Sequence, residues 1–188
     1  TNLYGFTSLS IAYGGFSMTS KLKTDVLETV SGSGTIALNN QLSGMTSASV
    51  PSGSVIQVVN NSLRQPSGGL LTSSTSYVAT DLTATITPSA TSSKILVIIN
   101  GNVDTEAQGN QGNFTIYRGS SNVINIAGFI APYSASARMI VPISITHYDS
   151  PSTTNATTYT LYMRSYGGNI EFNSQGITST ITLMEIKG

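Results

Sequence analysis

Lys94-Ile-Leu-Val-Ile-Ile99 decides the fold. Five apolar side chains in a row, β-branched at four positions, lack the three-to-four spacing of an amphipathic helix. They also lack the alternation of a half-solvated strand. Such a run reads as the central strand of a sheet, covered on both faces. Its apolar side chains contribute on the order of 1.5–3 kcal/mol each if fully buried. It is taken as the centre of the core.

The neighbouring stretches keep the same character. Upstream lie Ser54-Val-Ile-Gln-Val-Val59, Ser76-Tyr-Val-Ala-Thr80 and Leu82-Thr-Ala-Thr-Ile86, the last alternating strictly and stopped by Pro88. Downstream lie Phe114-Thr-Ile-Tyr117, Val123-Ile-Asn-Ile126 and Arg138-Met-Ile-Val-Pro-Ile-Ser-Ile-Thr146. Thr157–Arg164, Asn169–Phe172 and Ser179–Ile186 complete the series. Pro142 has no N–H to donate, which marks an edge strand or a bulge. No segment shows a capped helical period. About nine or ten strands with turn-rich joints predict an all-β sandwich or barrel. Two polar loops, Asn100–Asn113 and Tyr148–Asn155, are candidate binding loops, since loops on a rigid sandwich commonly carry function.

Residues 1–53 differ. Short apolar fragments such as Leu22–Leu27 and Thr35–Leu38 alternate with Gly and Ser. Alone they cannot bury enough surface to offset the entropy of ordering. The expected organisation is therefore an arm or stalk over 1–53 and a β domain over 54–188.

Composition narrows the function. Only 9% of residues are charged, net charge is zero, and the chain has no Cys, no Trp and a single histidine, His147. Ser and Thr exceed a quarter of the chain. Without a basic patch, nucleic acid is not an expected partner. No window of about 18 uncharged apolar residues occurs, so no membrane insertion is expected. Thr1–Met18 lacks the basic start and continuous apolar run of a signal peptide. No disulfide, metal or cofactor is expected.

Several stretches resemble a known group. Met18–Leu38 through Gly53–Val59, Leu82–Ile98, Asp149–Tyr159 and Ser179–Ile186 are similar to short virion proteins of tailed bacteriophages, especially aquatic ones, labelled tail fibre or structural protein. The resemblance implies a tumour-necrosis-factor-like jelly-roll β-sandwich, a homotrimer on a virion surface, with an extended N-terminal arm. It implies contacts with other virion proteins of the capsid or tail, and a host cell-surface glycan as a further partner. Residues 1–17 precede the point where the pattern starts. Their uncharged aromatics, Tyr4, Phe6, Tyr13 and Phe16, are candidates for anchoring in a neighbouring virion protein.

Catalytic signals are weak. His147 lies two residues from Asp149, but no serine sits in a nucleophile elbow, so a histidine satisfied at a strand end is the better reading. Asp104-Thr-Glu106 would point two carboxylates to one side if extended, which could serve a cation or a glycosidase. Asn113-Phe-Thr115 and Asn155-Ala-Thr157 match the glycosylation pattern, as chance allows in so Asn- and Thr-rich a chain. The nine tyrosines carry more information, being amphipathic contact area at low entropic cost. Tyr133, Tyr148 and Tyr166 are read in or beside loops, where they could stack on sugar rings or pack between subunits. Tyr159 and Tyr162 fall on opposite faces of one strand, so one of them needs a cover outside the core, which a trimer contact would supply. Neutral strands on both faces also need covering in a stable protein. The expected protein is non-enzymatic and trimeric; the rivals are a polysaccharide-processing enzyme and a monomeric carbohydrate-binding module.

Overall fold

Eleven antiparallel strands in two sheets make up the ordered architecture among the described residues. The computed structural model describes residues 50–65, 68–125, 127–130, 133, 135 and 137–188. Tyr4, Phe6, Tyr13, Phe16 and nearly all of the expected arm lie outside them. The strands are β1 (Val55–Arg64), β2 (Leu70–Thr72), β3 (Val78–Ile86), β4 (Lys94–Asp104), β5 (Gln111–Arg118), β6 (Ser121–Asn122), β7 (Phe129–Ile130), β8 (Ile140–Asp149), β9 (Thr157–Gly167), β10 (Ile170–Phe172) and β11 (Thr178–Ile186). No helix among them is long and apolar enough to cross a membrane.

The six-stranded sheet is built around β4. Strand β8 pairs with β4 along its whole length, from Ile95↔Asp149 to Asp104↔Ile140. On the other edge, β11 pairs with residues 94–100 and β10 with Val103 and Asp104. Strand β1 lies outside β11, and β2 outside β10. The five-stranded sheet runs β3-β9-β5, with β6 and β7 both on β5. The two sheets form a β-sandwich, as the sequence predicts.

Alternation puts one face of each strand inward. Leu82, Ile86, Ile95, Val97, Ile99, Phe114, Ile116, Leu161, Met163, Phe172, Ile181 and Leu183 are all essentially inaccessible to solvent. Phe114 and Phe172 meet between the sheets with centroids 5.9 Å apart. Polar clamps close the sandwich. Arg118 of β5 donates to both oxygens of Asp149 on β8, at 3.0 and 2.7 Å, and the Tyr159 hydroxyl of β9 donates to the same carboxylate at 2.7 Å. One carboxylate thus ties both sheets together.

Four expectations are corrected. First, Ser76–Thr80 and Leu82–Ile86 are not two strands. β3 is continuous across them, with a register shift between Ala79 and Thr83. Thr80 satisfies the irregularity: its hydroxyl donates to Leu161 O at 2.8 Å and accepts from Leu82 N at 3.2 Å. Second, the long loop Asn100–Asn113 shrinks to residues 105–110, because β4 and β5 extend into it. Third, Val123–Asn125 do not join the expected strand: they follow the two-residue β6 as bends and an irregular residue, and Ile126 lies outside the described residues. Asn122 Oδ1 accepts from Ile124 N at 3.1 Å and its Nδ2 donates to Asn125 O at 2.8 Å. These local bonds replace a ladder. Fourth, among the described residues β4 is fully buried on one face only: Ile95, Val97 and Ile99 are buried, while Leu96 and Ile98 are half-buried on the outer face. Pro142 does sit on an edge strand, β8, where its missing N–H costs no ladder bond.

Candidate functional site

The outer face of the six-stranded sheet carries three successive cross-strand rows without a charge. The first is Val58–Met184–Leu96–Tyr148, the second Asn60–Thr182–Ile98–Thr146, the third Ser62–Thr180–Asn100–Ser144. Val58 and Tyr148 are each 56% exposed. Alternation places these residues opposite the core, and none of the described residues packs over them. The face is thus neutral, partly apolar and four strands wide.

The outer face of the five-stranded sheet is different. Tyr162 of β9 stacks on Tyr117 of β5, centroids 3.9 Å apart, and Tyr77 meets Tyr117 edge-on at 6.3 Å. The Arg164 guanidinium lies 4.6 Å from the Tyr77 ring centroid and 4.7 Å from that of Tyr166. Arg164 also donates to the Tyr166 hydroxyl at 2.6 Å. Tyr77, Tyr117, Arg164, Asn122, Asn125, Thr75 and Ser76 line an open groove of about 490 Å³.

The groove follows from local structure. Residues 121–128 fold back over β5, held where Thr115 Oγ1 donates to Asn122 Oδ1 at 2.7 Å and Asn113 Nδ2 donates to Ala127 O. The segment turns at Gly128, whose φ of 63° suits glycine, and a Cβ there would overlap both the Phe114 carbonyl and the Tyr77 hydroxyl. Burial pushes the Tyr77 phenol above its ordinary range, although the Arg164 charge and hydrogen bond pull the other way. Tyr77 therefore stays protonated at neutral pH.

Of the predicted tyrosines, Tyr162 and Tyr166 share one face of β9 and the others stand apart. Tyr148 stands on β8 in the neutral face, Tyr166 on β9 beside Arg164, and Tyr133 lies 57% exposed between β7 and β8. Tyr159 is the core member of its pair and Tyr162 the outer one; Tyr117 of the same chain supplies part of the cover expected from a neighbouring subunit. Sequence reading missed Tyr77, Tyr117, Asn122, Asn125 and Arg164. The alternation Tyr162-Met-Arg164-Ser-Tyr166 held part of the signal, since it puts Tyr, Arg and Tyr on one face.

The Asp104/Glu106 pair is overturned. Glu106 has φ 47°, so the stretch is not extended. Asp104 is fully buried and receives Arg138 Nε at 2.8 and 3.0 Å, Arg138 Nη2, and Glu106 N at 2.8 Å. Other acids are equally engaged: Glu171 accepts from Gly69 N, and Glu185 from Ser89 N at 2.6 Å and its hydroxyl at 2.8 Å. His147 is half-buried on the inward side of β8. Among the described residues no group of three or more His, Asp or Glu could hold a metal ion.

Burial alone would raise the Asp104 pKa; the hydrogen bonds from Arg138 and Glu106 N–H, with the Arg138 charge, outweigh it and hold the carboxyl below its usual range. A depressed folded value stabilises the protein fully above about pH 4, the unfolded carboxyl's range, and that contribution is lost as pH falls further. Asp104→Asn is expected to flatten the acid limb of a thermal-melt series below pH 4 while lowering the neutral-pH melting temperature. An unchanged acid limb would show that the pair carries no such linkage.

No protein-family model and no curated protein matches this chain.

Proposed function

We propose that this chain is a non-enzymatic structural protein of a tailed-phage virion surface: a homotrimeric jelly roll serving as capsid decoration, short fibre or tail fibre, with its free surface available for host attachment. The observation that carries the reading is the block of three charge-free cross-strand rows on the outer face of the β1-β11-β4-β8 layer. The run Ile95–Ile99 is apolar on both sides, yet the described residues bury only one. A second and third copy are the natural cover for the other, because closing three neutral faces around a threefold axis desolvates no ions. Two antiparallel layers exchanged by successive strands fit the double-sheet jelly roll. The resemblance of residues 18–59, 82–98, 149–159 and 179–186 to virion proteins supplies the setting, and residues 1–53 are read as the arm that docks on capsid or tail.

The glycosidase alternative needs two free carboxylates across a groove. Asp104, Asp149, Glu171 and Glu185 are already held by structural donors, which weighs against it. A monomeric carbohydrate-binding module is separated by mass. Light scattering on the full chain at micromolar concentration is expected to give three chains per particle, and imaging of intact virions to show threefold density on head or tail. A monomer in solution would overturn the assembly.

A further inference from the structure

We propose that the Tyr77–Tyr117–Arg164 groove is a binding site for an anionic saccharide, a pyranose carrying a carboxylate. The site deepens the host-attachment part of the function above and rests on that reading for its biological setting alone, since it lies on the opposite sheet from the assembly face.

Three observations converge. First, the groove presents aromatic surface. The negative π face of a tyrosine attracts the C–H face of a sugar ring, and Tyr77 and Tyr117 line the groove while Tyr162 braces Tyr117 from behind. A volume of about 490 Å³ accommodates one or two pyranose rings.

Second, Arg164 is a cation without an anion. Among the described residues the ion pairs are Arg118–Asp149 and Arg138–Asp104, and none involves Arg164. Its Nε is buried and makes no hydrogen bond, while Tyr77 and Tyr166 fix the guanidinium plane from either side. A guanidinium held in place, charged and short of acceptors is suited to a planar carboxylate, which it can grip with two parallel bonds.

Third, the rim offers both donors and acceptors. Asn122 and Asn125 flank the groove together with Ser76 and Thr75. Amides and hydroxyls of this kind read sugar hydroxyls, which need both hydrogen-bond senses. No second cation lines the groove, so a polyphosphate backbone is a poor fit and one carboxylate per sugar residue a good one.

The test titrates the full chain with tetragalacturonate and with the neutral maltotetraose, read by calorimetry and by tyrosine emission, which no tryptophan obscures. Tetragalacturonate is expected to bind saturably and about tenfold or more tighter than maltotetraose, the usual margin of a charge-assisted pair. Arg164→Gln is expected to abolish that preference, while Asn125→Ala, a rim change that leaves the aromatic packing alone, weakens binding roughly threefold. Ile177→Ala, an exposed residue just before β11 on the other sheet, should leave affinity unchanged. Equal affinity for the two probes, or full binding by both groove variants, overturns the site. Light scattering on the same samples separates the two ideas: a trimer that binds neither probe removes the saccharide site and leaves the assembly intact, whereas a monomer that binds tetragalacturonate removes the assembly and leaves the site.

Discussion

If the proposed trimer forms through the uncharged rows, Ile98→Glu is expected to leave a folded monomer. Ile98 sits in the middle of the uncharged rows, between Thr182 and Thr146. It is half-buried in the single chain, so a glutamate there reaches water and the fold should tolerate it within about 1 kcal/mol. Against another copy the same carboxylate would be buried with no cation opposite. Such a charge costs about 3 kcal/mol or more per contact, roughly a hundredfold in association constant. With the change repeated in each subunit of a ring, the assembly is lost. Light scattering should report one chain per particle, while far-ultraviolet circular dichroism and the monomer's cooperative melt persist. A variant that keeps its trimer would show that this face is not the contact.

Asp149→Ala is expected to be among the most destabilising single changes in the domain. Asp149 ends β8, yet it answers to β5 through Arg118 and to β9 through the Tyr159 hydroxyl. Its side chain is only 10% exposed. Removing it strands a fully buried phenol hydroxyl without an acceptor and frees Arg118 to turn toward solvent. The combined loss is about 3 kcal/mol, the low end for a broken buried pair because Arg118 is partly hydrated. For a domain of this size that lowers the melting temperature by roughly 10 °C. Tyr159→Phe removes one bond and leaves Asp149 paired, so it should cost about 1 kcal/mol. The hydroxyl's pKa is raised, first by burial and then by Asp149. A raised folded value means its stabilisation is complete below about pH 10 and is lost as pH rises, because the unfolded chain ionises first. The phenylalanine variant should lack that alkaline loss. A melting temperature within 2 °C of wild type for Asp149→Ala, at any pH (about 0.5 kcal/mol), would mean the clamp is solvated in practice.

The sandwich was legible because apolar periodicity survives translation into three dimensions. Leu82, Ala84 and Ile86 alternate in sequence and are buried in structure. The uninterrupted Ile95–Ile99 run was legible as central but not as one-sided, since sequence does not say whether a second cover comes from the same chain. Loops were read less well. Asn and Gly in 100–104 and 111–113 suggested a loop, but ladder bonds along β4, β5 and their partners override weak residue preferences. The reverse happened at Val123–Asn125, where side-chain bonds from Asn122 outcompeted a strand-like composition. The groove was the least visible feature. Tyr77, Tyr117 and Arg164 are 40 and 47 positions apart along the chain, and only the pairing of β5 with β9 puts two of them on one sheet face, Tyr117 opposite Thr160 and Arg164 opposite Asn113.

The neutrality of the β1-β11-β4-β8 face has a consequence for the solution the protein can live in. Ion pairs across an interface weaken as electrolyte screens them, over about 10 Å at 0.1 M and about 3 Å at 1 M. A copy seated on Val58, Met184, Leu96 and Tyr148 would be held by shape, van der Waals contact and the exclusion of water. None of these needs an opposite charge, and exclusion of water strengthens as many salts are added. Such an assembly would keep the same grip in fresh water and in brine.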